Sequence, residues 1–234
     1  MSDQATILAR VREALREPAP PRHLHGHGAA LEEAREPRPG FQSWMPPVGV
    51  TRDDCFALFQ KNVAMLKAEL VLYTDAADLQ MKLQNQARRE NWKKIAIHRG
   101  RWSAPVVEAL ALPRVMTEAG YVVREIESCD VGITECDALV AQTGSVLVTS
   151  QSAGGRALSV LPPHHVVLAR YDQLVPDLEA AFNVLHSHYS DAWPSFMSFI
   201  TGPSRTGDIE RILVLGAHGP KRLTIYYGQK PAEA

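Results

Sequence analysis

The chain has 234 residues and a mass of 25.8 kDa, and its 25 Lys and Arg residues nearly balance its 26 Asp and Glu residues. The balance argues against a nucleic-acid binder, since such proteins usually carry a basic excess, but it leaves room for a local basic pocket that binds a small anion. A chain of this length buries enough surface to fold without a disulfide or a metal, as one substantial domain or as one domain with an appendage.

The three cysteines, Cys55, Cys129 and Cys136, limit the redox chemistry of the chain. They show neither paired spacing nor the C-x-x-C run that binds an iron–sulfur cluster, and the chain lacks a signal-peptide pattern, so we expect free thiols in the cytoplasm. No apolar run approaches the roughly 20 residues of a membrane span, so we expect a soluble protein. Electron chemistry would therefore depend on a partner.

The first 50 residues are predicted to form a helix and a linker. An amphipathic helix is predicted over residues 3–16, with Ile7, Leu8, Val11 and Leu15 on one side, and Pro18 ends it. Residues 18–50 contain seven prolines and four glycines, which is typical of an extended linker.

The linker also carries His23, His25 and His27 at alternate positions. A His-rich tract can bind metal, but no carboxylate or thiol is interleaved with these histidines, so we predict no metal site.

From Thr51 onward the sequence alternates between strand and helix patterns, which predicts an α/β domain over residues 51–234 with a mostly parallel sheet flanked by helices. Helices are predicted over residues 51–66 (with Thr51 or Asp53 as the N-cap), 75–91, 103–110 and 173–189. Strands are predicted over residues 70–73, 94–98, 121–124, 137–142, 145–150, 166–169, 196–200, 212–215 and 223–227. The segment 137–142 could equally form a helical turn.

The common nucleotide, zinc-protease and hydrolase motifs (G-x-x-x-x-G-K-[ST], G-x-G-x-x-G, H-E-x-x-H and G-x-S-x-G) are absent from the sequence, which argues against those three classes of enzyme. Two dense polar clusters remain as candidate sites.

The first cluster combines T-G-S at 143–145 with S-A-G-G-R at 152–156, and Ser159 and L-P-P-H-H at 161–165 follow. Its glycines would let backbone amides approach an anion, and Arg156 could add a bidentate contact to a carboxylate or phosphate. An ordinary hairpin turn and surface loop would use the same residue types. The candidate ligand-binding residues of this cluster are Thr143, Gly144, Ser145 and Arg156.

Three histidines follow or lie near these clusters. His164 and His165 are neighbours, so on a strand they would point to opposite faces and at most one could face a given site. His218, in A-H-G-P at 217–220, would end a strand, where it could carry a proton or serve only as a hydrogen-bonded structural residue.

The second cluster, T-G-P-S-R-T-G-D-I-E at 201–210, leaves a predicted strand and would open a helix. Free amides, the positive helix end and Arg205 would then form an anion cradle, at the carboxyl end of a strand where α/β proteins usually bind ligands. The alternative is an ordinary helix cap, made by Ser204 or Thr206, with a solvated arginine. The candidate ligand-binding residues are Gly202, Ser204, Arg205, Thr206 and Asp208.

The segments GITECDALVAQTGSVLVTS, GRALSVLPPHHVVL and FITGPSRTGDIERILVLGAHGPKRLTIYYG together resemble the LUD-domain family, over residues 51–228. The resemblance implies a fold similar to the ribose-5-phosphate isomerase and CoA-transferase group. The chain departs from the family at Gln142, where members often have an acidic residue before Thr-Gly. If that acid has a chemical role, this chain lacks it.

The resemblance implies a non-redox component of a system that oxidises L-lactate to pyruvate with two iron–sulfur partner subunits. The clusters would reside in those partners, and this chain would hold no cofactor or metal. It would bind a small carboxylate or phosphate at Arg205, with His218 as the candidate catalytic proton acceptor. Whether the chain is itself an enzyme, and whether it forms a homo-oligomer, stays open. The alternatives are a stand-alone enzyme acting on a sugar-phosphate or acyl-CoA substrate, and a structural adaptor that docks through its N-terminal helix.

Overall fold

A computed structural model of the chain describes residues 3–14, 16, 45–118, 120–207, 213–215 and 219–230. The chain divides into two compact units, Met1–Trp44 and Met45–Ala234. In the first unit, α1 spans Asp3–Ala14, which confirms the predicted helix, and its Ile7, Leu8 and Val11 side chains are exposed. The three linker histidines lie outside the described residues.

The second unit alternates helices and strands. Its helices are α2 (Arg52–Met65), α3 (Ala76–Arg89), α4 (Ala104–Glu108), α5 (Val123–Glu127) and α6 (Leu178–Tyr189). Its strands are β1 (Glu69–Tyr73), β2 (Ile95–Ile97), β3 (Arg114–Met116), β4 (Val131–Glu135), β5 (Ala138–Val140), β6 (Ser145–Thr149), β7 (His164–Ala169), β8 (Leu174–Val175), β9 (Met197–Ile200), β10 (Arg205–Gly207), β11 (Leu213–Leu215) and β12 (Arg222–Gly228).

Six strands form a parallel main sheet in the order β1-β12-β7-β4-β2-β3. Helices α3 and α4 pack on one face of this sheet, and α5 packs on the opposite face around Ala96 and Ile126. The chain runs from β2 outward to β3 and then back to β4, on the other side of β2. The carboxyl ends of β2 and β4 therefore form a topological switch point, the usual ligand position in open α/β sheets.

Four more strands form a small sheet in the order β8-β5-β6-β9, in which β5, β6 and β9 are antiparallel. Apolar residues of this sheet and of α2 pack together with those of the main sheet, and α6 covers a separate apolar cluster on β5 and β6. The predicted α/β fold, with a mostly parallel sheet flanked by helices, is confirmed. None of the helices in the described part of the chain combines the length and apolarity that a membrane crossing requires.

The helix starts follow local chemistry. The predicted N-cap Thr51 is confirmed, since its hydroxyl accepts from the Asp54 amide at 3.1 Å while the Asp54 carboxylate accepts from the Thr51 amide, also at 3.1 Å. Helix α6 begins later than predicted. A 3-10 turn, Tyr171–Gln173, and the short strand β8 come before its N-cap, Asp177.

One predicted strand is wrong, and two strands of the main sheet were missed. The predicted strand at 121–124 is instead the start of α5, whose Val122 and Val123 are exposed, because a three-residue apolar run does not distinguish a strand from a helix end. Strands β3 and β4 were not predicted. Strand β3 has only three residues, and β4 mixes Gly, Thr and Glu into its apolar run.

Candidate functional site

Thr143 and Gly144 lie in the turn of the antiparallel β5–β6 hairpin. Of the predicted strand 137–142, residues 138–140 form β5, and residues 141–144 form a turn in which the Gly144 amide donates to the Val140 carbonyl at 2.9 Å. Gly144 has a φ of +67°, and a Cβ at this position would lie 2.9 Å from the Asn62 Cβ. The turn needs glycine both for its backbone conformation and for its close approach to α2. The hairpin therefore places the first cluster against the end of α2.

Strand β9 brings the second cluster to the same place. It pairs with β6, and the Ser145 hydroxyl lies 2.8 Å from the Thr201 hydroxyl. Gly202 has a φ of +85°, and a Cβ there would lie 3.1 Å from the Leu66 Cβ. Gly144 and Gly202 thus both pack against Leu66, which caps the carboxyl end of α2.

The two clusters border a shallow cavity of about 450 Å³, which we call the Leu66 depression. The residues that bear on its chemistry are Leu66, Ser159, Thr201, Gly202, Ser204 and Arg205. The exposed Arg205 guanidinium donates a hydrogen bond to the Leu66 carbonyl. Ser159 is 4% exposed, and its hydroxyl has no hydrogen-bond partner among the described residues. Leaving a buried hydroxyl unpaired costs about 1–3 kcal/mol, which makes Ser159 a candidate donor to a ligand in the depression.

The predicted helix-end cradle is wrong at the described residues. Arg205–Gly207 forms β10, which pairs antiparallel with β11, and the Ser204 amide donates to the Pro220 carbonyl at 2.9 Å. The error arises because Ser, Thr, Gly and Asp serve turns as well as helix caps. The backbone of Thr206 lies in β10, whereas Asp208 and His218 lie outside the described residues.

The depression lies near the amino-terminal edge of the main sheet, opposite to the expectation from the sequence. The Lys221 amide donates to the Pro163 carbonyl at 2.8 Å, immediately before the first pair of β7 and β12, His164 with Arg222. The carboxyl-edge rule applies to parallel sheets, but the strand that leads into residues 201–204 belongs to the antiparallel part of the small sheet.

Arg156 is not among the residues that line the depression. Its guanidinium donates to the Ser195 carbonyl at 2.8 Å. In the same loop, a Cβ on Gly154 would lie 2.2 Å from the His98 Cβ, so the loop packs against the residue that follows β2. Gly144 and Ser145 thus lie next to the second cluster, through Leu66 and Thr201. Thr143, Gly144, Ser145 and Arg156 are not among the residues that line the depression, and Ser159 is the residue of the first cluster that does.

His164 and His165 point to opposite faces of β7, as expected. The Nε2 atom of His164 lies 2.9 Å from the Thr224 hydroxyl, and that of His165 lies 2.9 Å from the Thr134 hydroxyl. Burial lowers the pKa of His164 to about 4 and that of His165 to about 3. Both are therefore neutral structural histidines near pH 7.

Gln142 is buried, and its side-chain amide donates to the Pro46 carbonyl at 2.9 Å. Asn62 donates to the Gln142 backbone carbonyl, also at 2.9 Å. At this position the chain uses a neutral donor to hold the segment that precedes α2.

The carboxyl edge of the main sheet carries a group of polar residues that the sequence reasoning missed. Glu135, the last residue of β4, accepts hydrogen bonds at Oε1 from the Trp102 and Ser103 amides, both at 2.9 Å. The Glu135 amide faces Nε2 of His98 at 3.4 Å, and burial lowers the pKa of His98. The signal available in the sequence was Glu135, which directly follows the segment Val-Gly-Ile-Thr at 131–134, with a second acid, Asp137, two residues later.

Asp137 lies beside this group and is fully paired. The Ser152 hydroxyl donates to its Oδ2 at 2.6 Å, and the Tyr189 hydroxyl donates to its Oδ1 at 2.6 Å. Burial and this carboxylate raise the pKa of Tyr189 to about 12. Glu135 and Asp137 line a small pocket together with Arg101, Ser152, Arg170 and His188, which we call the Glu135 pocket.

The sequence model of the LUD domain family matches residues 56–226 of this chain. The chain belongs to the LUD domain family. A protein of Bacillus velezensis named Lactate utilization protein C is 27% identical over 238 residues, covering 94% of this chain and 93% of the relative. A protein of the same name from Halalkalibacterium halodurans is 37% identical over 108 residues, covering 45% of this chain and 47% of the relative.

A solved structure supports the fold of this LUD-domain chain. The crystal structure of a DUF162 family protein from Deinococcus radiodurans superposes with a TM-score of 0.60, covering 77% of this chain and 100% of that protein. Its sequence identity is 17%, so the likeness concerns the fold alone.

Proposed function

We propose that this LUD-domain protein is a component of a lactate utilisation system and binds a small carboxylate or phosphate in the Leu66 depression. The relatives named Lactate utilization protein C, one of them aligned over 94% of this chain, support the role in lactate utilisation. The observation that carries the anion site is the unpaired, buried hydroxyl of Ser159 in a depression that also contains Arg205.

The same proposal assigns the redox chemistry to partners. L-Lactate oxidation to pyruvate releases two electrons, and this chain would act as the non-redox component beside two iron–sulfur subunits in the cytoplasm. Its three cysteines are free and buried, which suits a chain that holds no cluster of its own.

In the proposed complex, one oxygen of the anion accepts from the Arg205 guanidinium and another accepts from the Ser159 hydroxyl. Arg205 already donates to the Leu66 carbonyl, which fixes the direction of the side chain before the ligand arrives. A charge-assisted hydrogen bond contributes about 1.5–3 kcal/mol, so losing it should raise the Kd about tenfold or more.

Titration calorimetry with L-lactate, and separately with inorganic phosphate, tests this anion site. Arg205→Ala should raise the Kd about tenfold or more, and Ser159→Ala should raise it by a smaller factor. Arg156→Ala removes another arginine, one that contacts Ser195 outside the depression, and should leave the Kd unchanged. Equal Kd values for the native protein and Arg205→Ala would contradict the proposed anion site.

The exposed apolar side of α1 favours a second, compatible role as an adaptor. Ile7, Leu8 and Val11 are 61%, 44% and 49% exposed, and an unpaired apolar stripe of this kind suits docking into a groove on a partner subunit. Ile7→Ser with Val11→Ser should abolish co-purification with the two iron–sulfur subunits, while Arg12→Ala should not. Unchanged co-purification of the double variant would eliminate the adaptor role.

A further inference from the structure

We propose that the Glu135 pocket is a second ligand site, which takes a short hydroxycarboxylate with its hydroxyl group inward and its carboxylate toward Arg101. The inference rests on the proposed function only for the choice of L-lactate as the probe.

Glu135 offers a fixed carboxylate with one oxygen that the described residues leave unused. Glu135 is 4% exposed, and its Oε1 is held by the Trp102 and Ser103 amides. Its Oε2 accepts no hydrogen bond from the described residues, and Glu135 lines the pocket. Oε2 is not one of the fully buried atoms, so it opens onto the pocket and can accept from a ligand that brings a donor.

The surrounding backbone holds this carboxylate rigidly. A Cβ on Gly100 would lie 2.2 Å from Glu135 Oε1, so the loop after β2 closes directly on the carboxylate. Asp137, the neighbouring acid, has both oxygens occupied by Ser152 and Tyr189 at 2.6 Å. Asp137 therefore shapes the wall, and Glu135 is the acceptor left for a ligand.

The charged residues around the pocket favour an anionic group at the outer end of the ligand. Arg101 is exposed, and its guanidinium makes one long hydrogen bond within the described residues, to Gln151 at 3.4 Å. Arg170 and His188 also line the mouth, although Arg170 is paired with Asp172 at 3.0 Å. These groups disfavour an amine or a metal cation, and they favour an anionic group beside the hydroxyl.

The size and position of the pocket further limit the class of ligand that it can bind. Its volume of about 40 Å³ is room for roughly three water-sized groups, by the measure of about 10–15 Å³ for each. A hydroxyl and its carbon fit, but a sugar ring or an acyl chain does not. The pocket also lies at the carboxyl end of β4, at the switch point of the main sheet, where ligands usually bind.

Nuclear magnetic resonance on the full-length, nitrogen-15-labelled chain tests the site, with L-lactate and propionate as probes. The two anions are similar in size, but propionate lacks the hydroxyl group. We expect L-lactate to shift the amide signals of Trp102 and Ser103 with a Kd at least about tenfold below that of propionate, because only lactate can donate to Glu135.

Glu135→Gln is the decisive variant, since it keeps an oxygen for both amides and replaces Oε2 with an NH₂ group. It should abolish the preference for lactate over propionate, while Glu118→Gln, an exposed acid near the same loop, should leave it intact. Equal Kd values for lactate and propionate in the native chain would overturn the proposal, as would an unchanged preference in Glu135→Gln.

Arg101→Gln provides a second variant with an exposed side chain, so it keeps the test valid if Glu135→Gln fails to fold. It should weaken the binding of both anions, as measured at the Trp102 and Ser103 amide signals, and preserve the preference for lactate. No change in either Kd would contradict the assigned orientation. Shifts at Gly202 and Ser204 report the Leu66 depression instead. The two proposals therefore succeed or fail at separate sets of signals.

Discussion

Gln142 shows at the residue scale how a neutral amide can hold a neighbouring segment in a position where an acid could not. Its amide donates to the Pro46 carbonyl, while its Oε1 is buried without a partner among the described residues. An acid here could not donate to that carbonyl at neutral pH, and its charge would lie in a buried position. The side chain therefore stabilises the packing of the segment before α2 and is separate from the residues that line the Leu66 depression.

Gln142→Glu should accordingly lower the free energy of unfolding at pH 7 by about 2–4 kcal/mol, since it loses a donor and buries a charge. Urea denaturation measures this change. Gln142→Met, which loses only the hydrogen bond, is the matched control and should cost about 1–2 kcal/mol. If Gln142→Glu were as stable as the native chain, the structural role of the amide would be wrong.

At the element scale, β7 makes the fold sensitive to acid. Its two consecutive histidines are buried with pKa values near 4 and 3, well below the ordinary value of 6.5, because burial penalises their charged forms. Below about pH 6.5 the unfolded chain gains protons that the folded chain does not. The stability from these groups is therefore complete above pH 6.5 and is lost progressively as the pH falls toward 4 and 3.

Glu90, at the end of α3, acts in a lower pH window. Burial acts to raise its pKa, but hydrogen bonds from Arg222 and Gln86, with nearby positive charge, lower it to about 2. Its contribution to the free energy of unfolding is therefore present above about pH 4.5 and is lost as the pH falls from 4.5 to 2. The contribution of the β7 histidines begins to fall at higher pH, below about 6.5.

We predict that the free energy of unfolding falls by about 2–4 kcal/mol between pH 7 and pH 5, since each histidine contributes up to about 1.4 kcal/mol per pH unit. Urea denaturation at pH 7, 6 and 5 measures the slope. His165→Leu should reduce the slope, whereas His188→Asn, which changes an exposed histidine, should not. A flat profile in the native chain would show that burial does not shift these pKa values.

At the scale of the whole molecule, the apolar core belongs to the unit that begins at Met45. Among the described residues, four buried apolar clusters are drawn from this unit, and Val48 packs against one of them. Residues just before α2 thus contribute to the domain, through the contact of Val48 and the hydrogen bond from Gln142 to Pro46.

A chain of residues 51–234 should be less stable than a chain of residues 45–234 by about 1–3 kcal/mol, because it loses the Val48 packing and the Pro46 acceptor. Urea denaturation of the two shortened chains compares them. Equal stability of the two shortened chains would assign no energetic role to residues 45–50.

What the sequence alone determined was local. Thr51 and Asp54 form a capping box within four consecutive residues, and the alternation of short apolar runs with amphipathic segments is sufficient to predict a parallel α/β sheet. The hairpin at Gly144 is local in the same sense, since its strands are neighbours in the chain.

Only the tertiary structure decided which polar residues share a site. Ser145 meets Thr201 across 56 positions in the sequence, and Glu135 meets the Trp102 amide across 33. Such contacts depend on strand order and register, which local propensities do not specify. For this reason the sequence pattern predicted residues 201–204 at the carboxyl edge of the main sheet, although they lie near its amino-terminal edge, and it did not predict the contacts of Glu135.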